Sequence, residues 1–230
     1  MRKSTIDACR VDVWILTLRT NTPTMSTQKK VFFFFDVEAD GPSPAVNNML
    51  SIGIVVFDSN GDELEVYQSN VQVLDGHKSD DKCINEFWSQ QVDAYQFVST
   101  NPKPYGTVVK EIFTLFNKYK NQGYTMEWVA GPASYDWQWL NYYSHLYKND
   151  IKEGFHDFLI SLSDIGYSAR CSSEVEKFFW KTKKIEDPKQ KEQMKDEFAG
   201  DAKHTHKPHE DARREGRIFF GMHKALGISP

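Results

Sequence analysis

Residues 31–37 read Val-Phe-Phe-Phe-Phe-Asp-Val, and two carboxylates, Asp36 and Glu38, stand at the end of that run. A short continuous apolar stretch rich in aromatic and β-branched residues suits a strand buried on both faces, inside a mixed or parallel sheet. Strand side chains alternate, so Asp36 and Glu38 point to one face. Two carboxylates crowded beside an apolar strand lose hydration and repel each other; unless one is protonated, they need a cation. Oxygen ligands of this kind suit Mg²⁺ or Mn²⁺ rather than zinc. By itself an Asp-x-Glu pair has a plainer reading, a strand end that reaches solvent.

The rest of the chain sets those acids in a larger pattern. After a loop with Gly41, Pro42 and Pro44, Met49 to Phe57 reads as a second buried strand. Asp58-Ser-Asn-Gly-Asp62 is a hairpin signal, and a third strand is predicted from Glu63 to Val73, which makes a three-stranded meander. Ile84, Phe87, Trp88, Gln91 and Tyr95 recur at helical spacing, and so do Val108, Val109, Ile112, Phe113 and Phe116. Glu127 to Ala130 reads as a short strand ended by Gly131-Pro132, with a helix from about Tyr135 to Tyr147. A strand near Phe158 to Leu162 and a helix near Ser173 to Trp180 are expected next. Lys181 to Lys203, mixed in charge and without a period, reads as a solvated loop or excursion. Pro208 opens a last helix carrying Ala212, Gly216, Phe219, Phe220 and His223. This order predicts one α/β domain over 30–230, behind a poorly patterned N-terminal extension, 1–29.

Composition narrows the function. A net charge of −4, from 28 Lys+Arg against 32 Asp+Glu, argues against nucleic acid held on a strongly basic surface. It leaves room for a local groove, or for phosphate contacts made through metal ions. Cys9, Cys83 and Cys171 are too few and too widely spaced for a disulfide framework or a four-cysteine zinc site. No run approaches the ~18 apolar residues of a membrane span. No export signal is legible either, so no membrane partner and an intracellular, cytoplasmic location are expected.

Two further carboxylates fall at helix starts. Asp136 follows the Gly-Pro turn, flanked by Tyr135, Trp137 and Trp139; its plain reading is an N-cap. Asp211 lies in the first turn of the last helix, where negative charge suits the helix dipole, with His206 five residues before it. A loop histidine next to a fixed carboxylate is a reasonable general base for activating water. His204-Thr-His206-Lys-Pro-His209 also approaches a His-x-His-x-Asp-His zinc cluster, but Pro208 stands where the aspartate belongs. His204 and His209 are therefore read as solvent-facing or incidental on the loop.

Together these segments resemble the motifs of the DEDDh superfamily, the DnaQ-like or RNase T-like 3′–5′ exonucleases. The first is similar to Phe-Phe-Asp36-Val-Glu38-Ala-Asp-Gly41, the second to Ala130-Gly-Pro-Ala-Ser-Tyr-Asp136-Trp, and the third to His206-Lys-Pro-His-Glu-Asp211-Ala-Arg. Phe87-Trp88-Ser-Gln-Gln91 resembles an aromatic stretch of a single-domain phage and bacterial, exoribonuclease-like subgroup. The resemblance covers Val31 to Leu226. It implies an RNase H-like α/β fold, a mixed central sheet flanked by helices, and two divalent cations, Mg²⁺ or Mn²⁺, on Asp36, Glu38, Asp136 and Asp211. It also implies His206 as general base and release of nucleoside 5′-monophosphates from a single-stranded RNA or DNA 3′ end. RNA is slightly favoured. Ala39, Asp40 and Gly41 would reach the terminal sugar, Met49 or Leu50 would wedge beside the last base, and Trp137 would stack on it. A homodimer is expected from the single-domain build. The alternatives are a proofreading-type exodeoxyribonuclease and a non-catalytic nucleic-acid-binding module of the same fold.

Overall fold

The computed structural model describes residues 29–147, 154–168 and 172–230; the predicted N-terminal extension lies, but for Lys29, outside the described residues. The Val-Phe₄ run is strand β1 (Lys30–Ala39), followed by β2 (Met49–Asp58) and β3 (Glu63–Asn70). β1 pairs antiparallel with β2, and β2 with β3, which is the expected meander. In the turn between β2 and β3, Asp58 accepts the backbone N–H of Asn60 at 2.8 Å and of Asp62 at 2.9 Å. β4 (Thr125–Val129) adds parallel on the other side of β1, which gives the mixed order β3-β2-β1-β4. β1 is therefore central, and its alternating side chains serve two cores.

One face carries Val31, Phe33, Phe35, Val37 and Ala39. It is covered by α2 (Tyr105–Asn121), α3 (Ala133–Tyr147) and α4 (Phe155–Ser168). The other face carries Phe32 and Phe34 and is covered by α7 (Pro208–Leu226) through Ala212 and Phe219. The Phe219 ring lies 5.3 Å from that of Phe34 and 5.9 Å from that of Phe32. α5 (Ser172–Lys183) and α6 (Pro188–Ala199) back α7, burying Phe179, Ala199, Ile218 and Met222. The arrangement is the expected RNase H-like α/β fold, a mixed sheet between helical layers.

Four local expectations are corrected. The strand near Phe158 to Leu162 is the middle of α4, because Phe155, Phe158 and Leu162, spaced by three and four, are the buried residues. A segment as short as Phe158-Leu-Ile-Ser-Leu162 satisfies either period, and here the helical one faces the core. Lys181 to Lys203 is not an open loop. α5 runs on to Lys183, and Asp187 caps α6 by accepting the Lys189 N–H, with Pro188 in the first turn. Met194, Phe198 and Ala199 then dock on α7. Residues Ile84 to Tyr95 do not form one helix. They form a π-turn (Cys83–Phe87), a 3₁₀ turn (Trp88–Gln90) and α1 (Val92–Ser99). β3 ends at Asn70 rather than Val73, and Val71 bridges to Lys103 instead.

Candidate active site

Helix α7 lies antiparallel along the even face of β1. Phe219 sits over Phe34, and Asp211 reaches Asp36 and Glu38. The spacing is consistent: eight helical residues advance about 12 Å, and four strand residues about 13 Å. The approach at the N-terminal end of α7 depends on Gly53, which pairs with Asp36 in β2. A Cβ there would run into the backbone of Pro208 and His209, so only glycine lets the start of α7 settle on the sheet. Ligand oxygens of Asp36, Glu38 and Asp211 consequently lie within 4.8 Å of one another.

Asp136 joins from the other side of β1. β4 pairs with β1 only as far as Phe34, so the β1 edge beyond it lacks a strand partner there. Asp136, in the first turn of α3, fills that place: its Oδ1 accepts the Val37 N–H at 3.0 Å. It is not the helix cap of the plain sequence reading, since α3 already starts at Ala133. Its carboxyl stands in the field of the other acids and is almost fully buried.

Burial and mutual repulsion dominate the electrostatics. Desolvation first, then the charges of Asp136 and Asp211, push the Asp36 carboxyl well above the ordinary range. Glu38 is raised by burial, then by Asp36 and Asp211. Asp136 is raised by burial and by Glu215, against the lowering effect of the Val37 N–H. Asp36 Oδ2 is buried without a hydrogen-bond partner. A buried carboxylate oxygen left bare among like charges fits a cation, and the all-carboxylate donor set fits a hard divalent one.

The third-motif loop is held by the carboxylate it delivers. Asp211 Oδ1 accepts the Thr205 N–H at 2.7 Å, and Oδ2 the His206 N–H at 2.8 Å. His206 adopts φ +57°, the left-handed conformation that turns the chain into α7. Its Nδ1 lies 3.8 Å from Glu38 Oε1, and the Phe87 ring meets it edge-on at 5.0 Å. Partial burial, then the neighbouring His204, lower its pKa, which favours the neutral, proton-accepting imidazole.

Two features escaped the sequence reading. Glu215, one turn after Asp211, is raised to about 7 by burial, and Ser172 donates a hydrogen bond to it. The i, i+4 spacing from Asp211 was the available signal. His204 is not a bystander: its Nδ1 lies 3.3 Å from Asp211 Oδ2.

The substrate-side residues divide. Asp40 is structural: its carboxylate accepts the Asn48 N–H at 2.6 Å, the Asn48 side-chain amide at 2.8 Å and the Ser79 hydroxyl at 2.8 Å. Ala39 is buried and its carbonyl accepts Trp88 Nε1–H at 3.0 Å. Met49 is sealed in the core, and Leu50 packs on Trp88, Ala94 and Val98, so neither offers a face to a base. Trp137 is half-buried against the core, and Trp139 is fully buried. Gly41 does line an open cavity of about 390 Å³, together with Pro42, Cys83, Phe87 and Tyr135. Its apolar walls stand next to His206 through Phe87.

The clustered acids at the end of the central strand, with His206 beside Glu38, make a site whose donor set suits a hard divalent cation. The 3′-5′ DNA exonuclease Cap18 of Escherichia coli is 26% identical to the chain over 160 residues, which are 66% of this chain and 80% of that protein. That likeness agrees with the resemblance of the three sequence motifs to the DEDDh superfamily of 3′–5′ exonucleases. No protein-family model matches it. Product-bound exonuclease I aligns at 15% identity and TM-score 0.43, over 52% of this chain and 26% of that one. Escherichia coli exonuclease I in complex with a dA16 oligonucleotide aligns at 14% and 0.42, over 51% and 24%. The chain spans about a quarter of the length of those enzymes.

Proposed function

We propose that the chain is a divalent-metal-dependent exonuclease that shortens single-stranded nucleic acid, DNA in preference to RNA, from the 3′ end. The observation that carries this reading is the convergence of Asp36, Glu38 and Asp211 around the unpartnered Asp36 oxygen. The DNA preference replaces the expected lean to RNA, because the relative above is named for DNA.

Asp36, Glu38, Asp136 and Asp211 would hold two cations, Mg²⁺ or Mn²⁺. When bound, such ions polarise the scissile phosphate, acidify water and stabilise the departing 3′ oxygen. The protein supplies the rest. His206, neutral and fixed by its own backbone N–H on Asp211, takes the proton of the attacking water. Asp136 keeps the β1 backbone in place between the two acids of the first motif. Phe87 and Tyr135 give the terminal base an apolar wall beside the Gly41 loop.

The test incubates 5′-labelled single-stranded DNA and RNA oligomers with wild type and Asp136→Asn, in Mg²⁺, Mn²⁺ or EDTA. A ladder shrinking from the 3′ end only with metal and Asp136, faster on DNA, is the expected result. Faster trimming of RNA would overturn the preference. No shortening of either polymer by folded protein would overturn the enzyme reading and leave a binding module.

A further inference from the structure

The loop that leads into α7 carries more ligand chemistry than a general base requires. His204, His206 and Asp211 each place a ligand atom within 4.8 Å of the other two. The two imidazoles stand 4.4 Å apart between ring centroids, tilted at 71°. His204 Nδ1 is 3.3 Å from Asp211 Oδ2. The set differs in kind from the neighbouring Asp36–Glu38–Asp211 group: two nitrogens and one oxygen, against three oxygens.

We propose that His204, His206 and Asp211 form a binding site for a borderline-soft divalent ion, Zn²⁺ above all, whose occupancy inhibits the enzyme. Zinc is four-coordinate with histidine and carboxylate ligands at about 2.0–2.2 Å, so three protein ligands and a water complete its shell. Mg²⁺ demands octahedral oxygen and is excluded by the same chemistry.

The site is accessible and already shaped. The His204 side chain is 63% exposed, so an ion from solvent meets it first. The loop between the histidines is fixed at both ends, with Thr205 and His206 N–H groups on the Asp211 carboxylate and Thr205 Oγ1 on Glu210 at 2.8 Å. Arg214, which lines the same cavity, is occupied: it pairs with Asp196 at 2.7 Å and Glu192 at 3.3 Å on α6. His204 and Asp211 also line a polar cavity of about 290 Å³ with Asp36 and Glu215, which leaves room for bound water.

Inhibition follows from sharing. An ion on this triad takes the lone pair His206 would use for the water proton, and an oxygen of Asp211 that faces Asp36 and Glu38. That consequence rests on the exonuclease reading; the binding itself does not.

The experiment keeps the two apart. Metal-free full-length wild type, His204→Ala and Asp136→Asn are titrated with Zn²⁺ against a chromophoric chelator, and with Co²⁺ by visible absorption. Wild type and Asp136→Asn should bind Zn²⁺ alike and give the intense bands of tetrahedral Co²⁺. His204→Ala should bind about tenfold or more weakly and lose those bands. Equal Zn²⁺ affinity in His204→Ala and wild type would overturn the site. In parallel, Mg²⁺-driven trimming is measured with added Zn²⁺. Each protein's rate is taken relative to its own rate in Mg²⁺ alone, and His204→Ala should need about tenfold or more Zn²⁺ than wild type for half inhibition. Inhibition of both proteins at the same Zn²⁺ concentration would place the effect at the four acids and overturn the inhibitory role. Absence of trimming by wild type would defeat the exonuclease reading, while the chelator titration would still decide the metal site.

Discussion

The Asp136 carboxylate on α3 accepts the backbone N–H of Val37, the residue between Asp36 and Glu38, at 3.0 Å. One acid thus fixes the strand that carries two others. Asp136→Asn keeps an acceptor oxygen for that N–H and removes one buried negative charge. In EDTA its melting temperature should equal or exceed that of wild type. Its metal-dependent trimming should fall about 1,000-fold, on the order of 4 kcal/mol in the barrier. Asp136→Ala should also leave the buried N–H bare and lose stability by about 1–3 kcal/mol. Calorimetry and single-turnover kinetics on the two variants separate the roles.

The acid cluster makes stability fall with pH when no metal is present. Asp36, Glu38 and Asp136 are raised, and Glu215 moves from 4.5 to about 7. A group whose folded pKa is raised holds its proton more tightly when folded. Its contribution is complete below the unfolded pKa and is lost as pH rises through the folded one. In EDTA the melting temperature should drop as pH rises above the ordinary carboxylate range, with the Glu215 part, from 4.5 upward, complete a little above 7. Saturating Mg²⁺ should shrink that drop, because cations replace the lost protons. A thermal-shift series across pH, with and without metal, reads both slopes.

His206 should act on rate, not on substrate binding. His206→Ala should lower kcat by about 10²–10⁴-fold with KM little changed. The acidic limb of the wild-type pH–rate profile should fall below the ordinary histidine value of 6.5, because burial lowers the pKa of His206. Removing the imidazole should remove that limb. A limb of unchanged position in the variant would assign the proton acceptor elsewhere.

Gly53 is a structural condition for the site. In Gly53→Ala the new Cβ would strike the start of α7, and relief requires Asp211 and the His206 loop to move. Stability should fall by about 1–3 kcal/mol. The larger effect should be on metal affinity, read by titrating Mn²⁺ against wild type.

Phe87 tests the substrate wall. The residue is 36% exposed, so Phe87→Ala should fold normally. Stacking contributes about 1–3 kcal/mol per base, so KM for a single-stranded oligomer should rise about 5- to 150-fold. Met49→Ala, by contrast, should cost about 2–5 kcal/mol of stability, as a core truncation does. Fluorescence-anisotropy binding beside denaturant melts distinguishes the two.

Much of this molecule was legible in the chain. The Val-Phe₄ run declared a central strand because no other element buries four consecutive phenylalanines on alternating faces. The hairpin turn, the amphipathic α2 and the proline-led α7 announced themselves through local chemistry that tertiary contacts reinforced. α4 and α6 were missed for opposite reasons. The apolar run of α4 was short enough to satisfy two periods, and α6 carries only Met194, Phe198 and Ala199 for docking, too few to show a period among its charges.

The same division holds at the site. Local sequence determined which acids are present, that Asp36 and Glu38 share a face, and that Asp211 opens a helix behind a histidine loop. It could not tell an exposed acid from a buried one. Asp136 as partner of Val37, Glu215 as a fifth acid of the cluster, His204 beside Asp211 and Met49 sealed in the core all depend on approaches between segments distant in the chain. Those approaches are set by packing: the absence of a side chain at Gly53, the length match of α7 to β1, and the early end of β4. Periodicity reports which face of an element is apolar, whereas only the docked helices and sheet decide what each face meets.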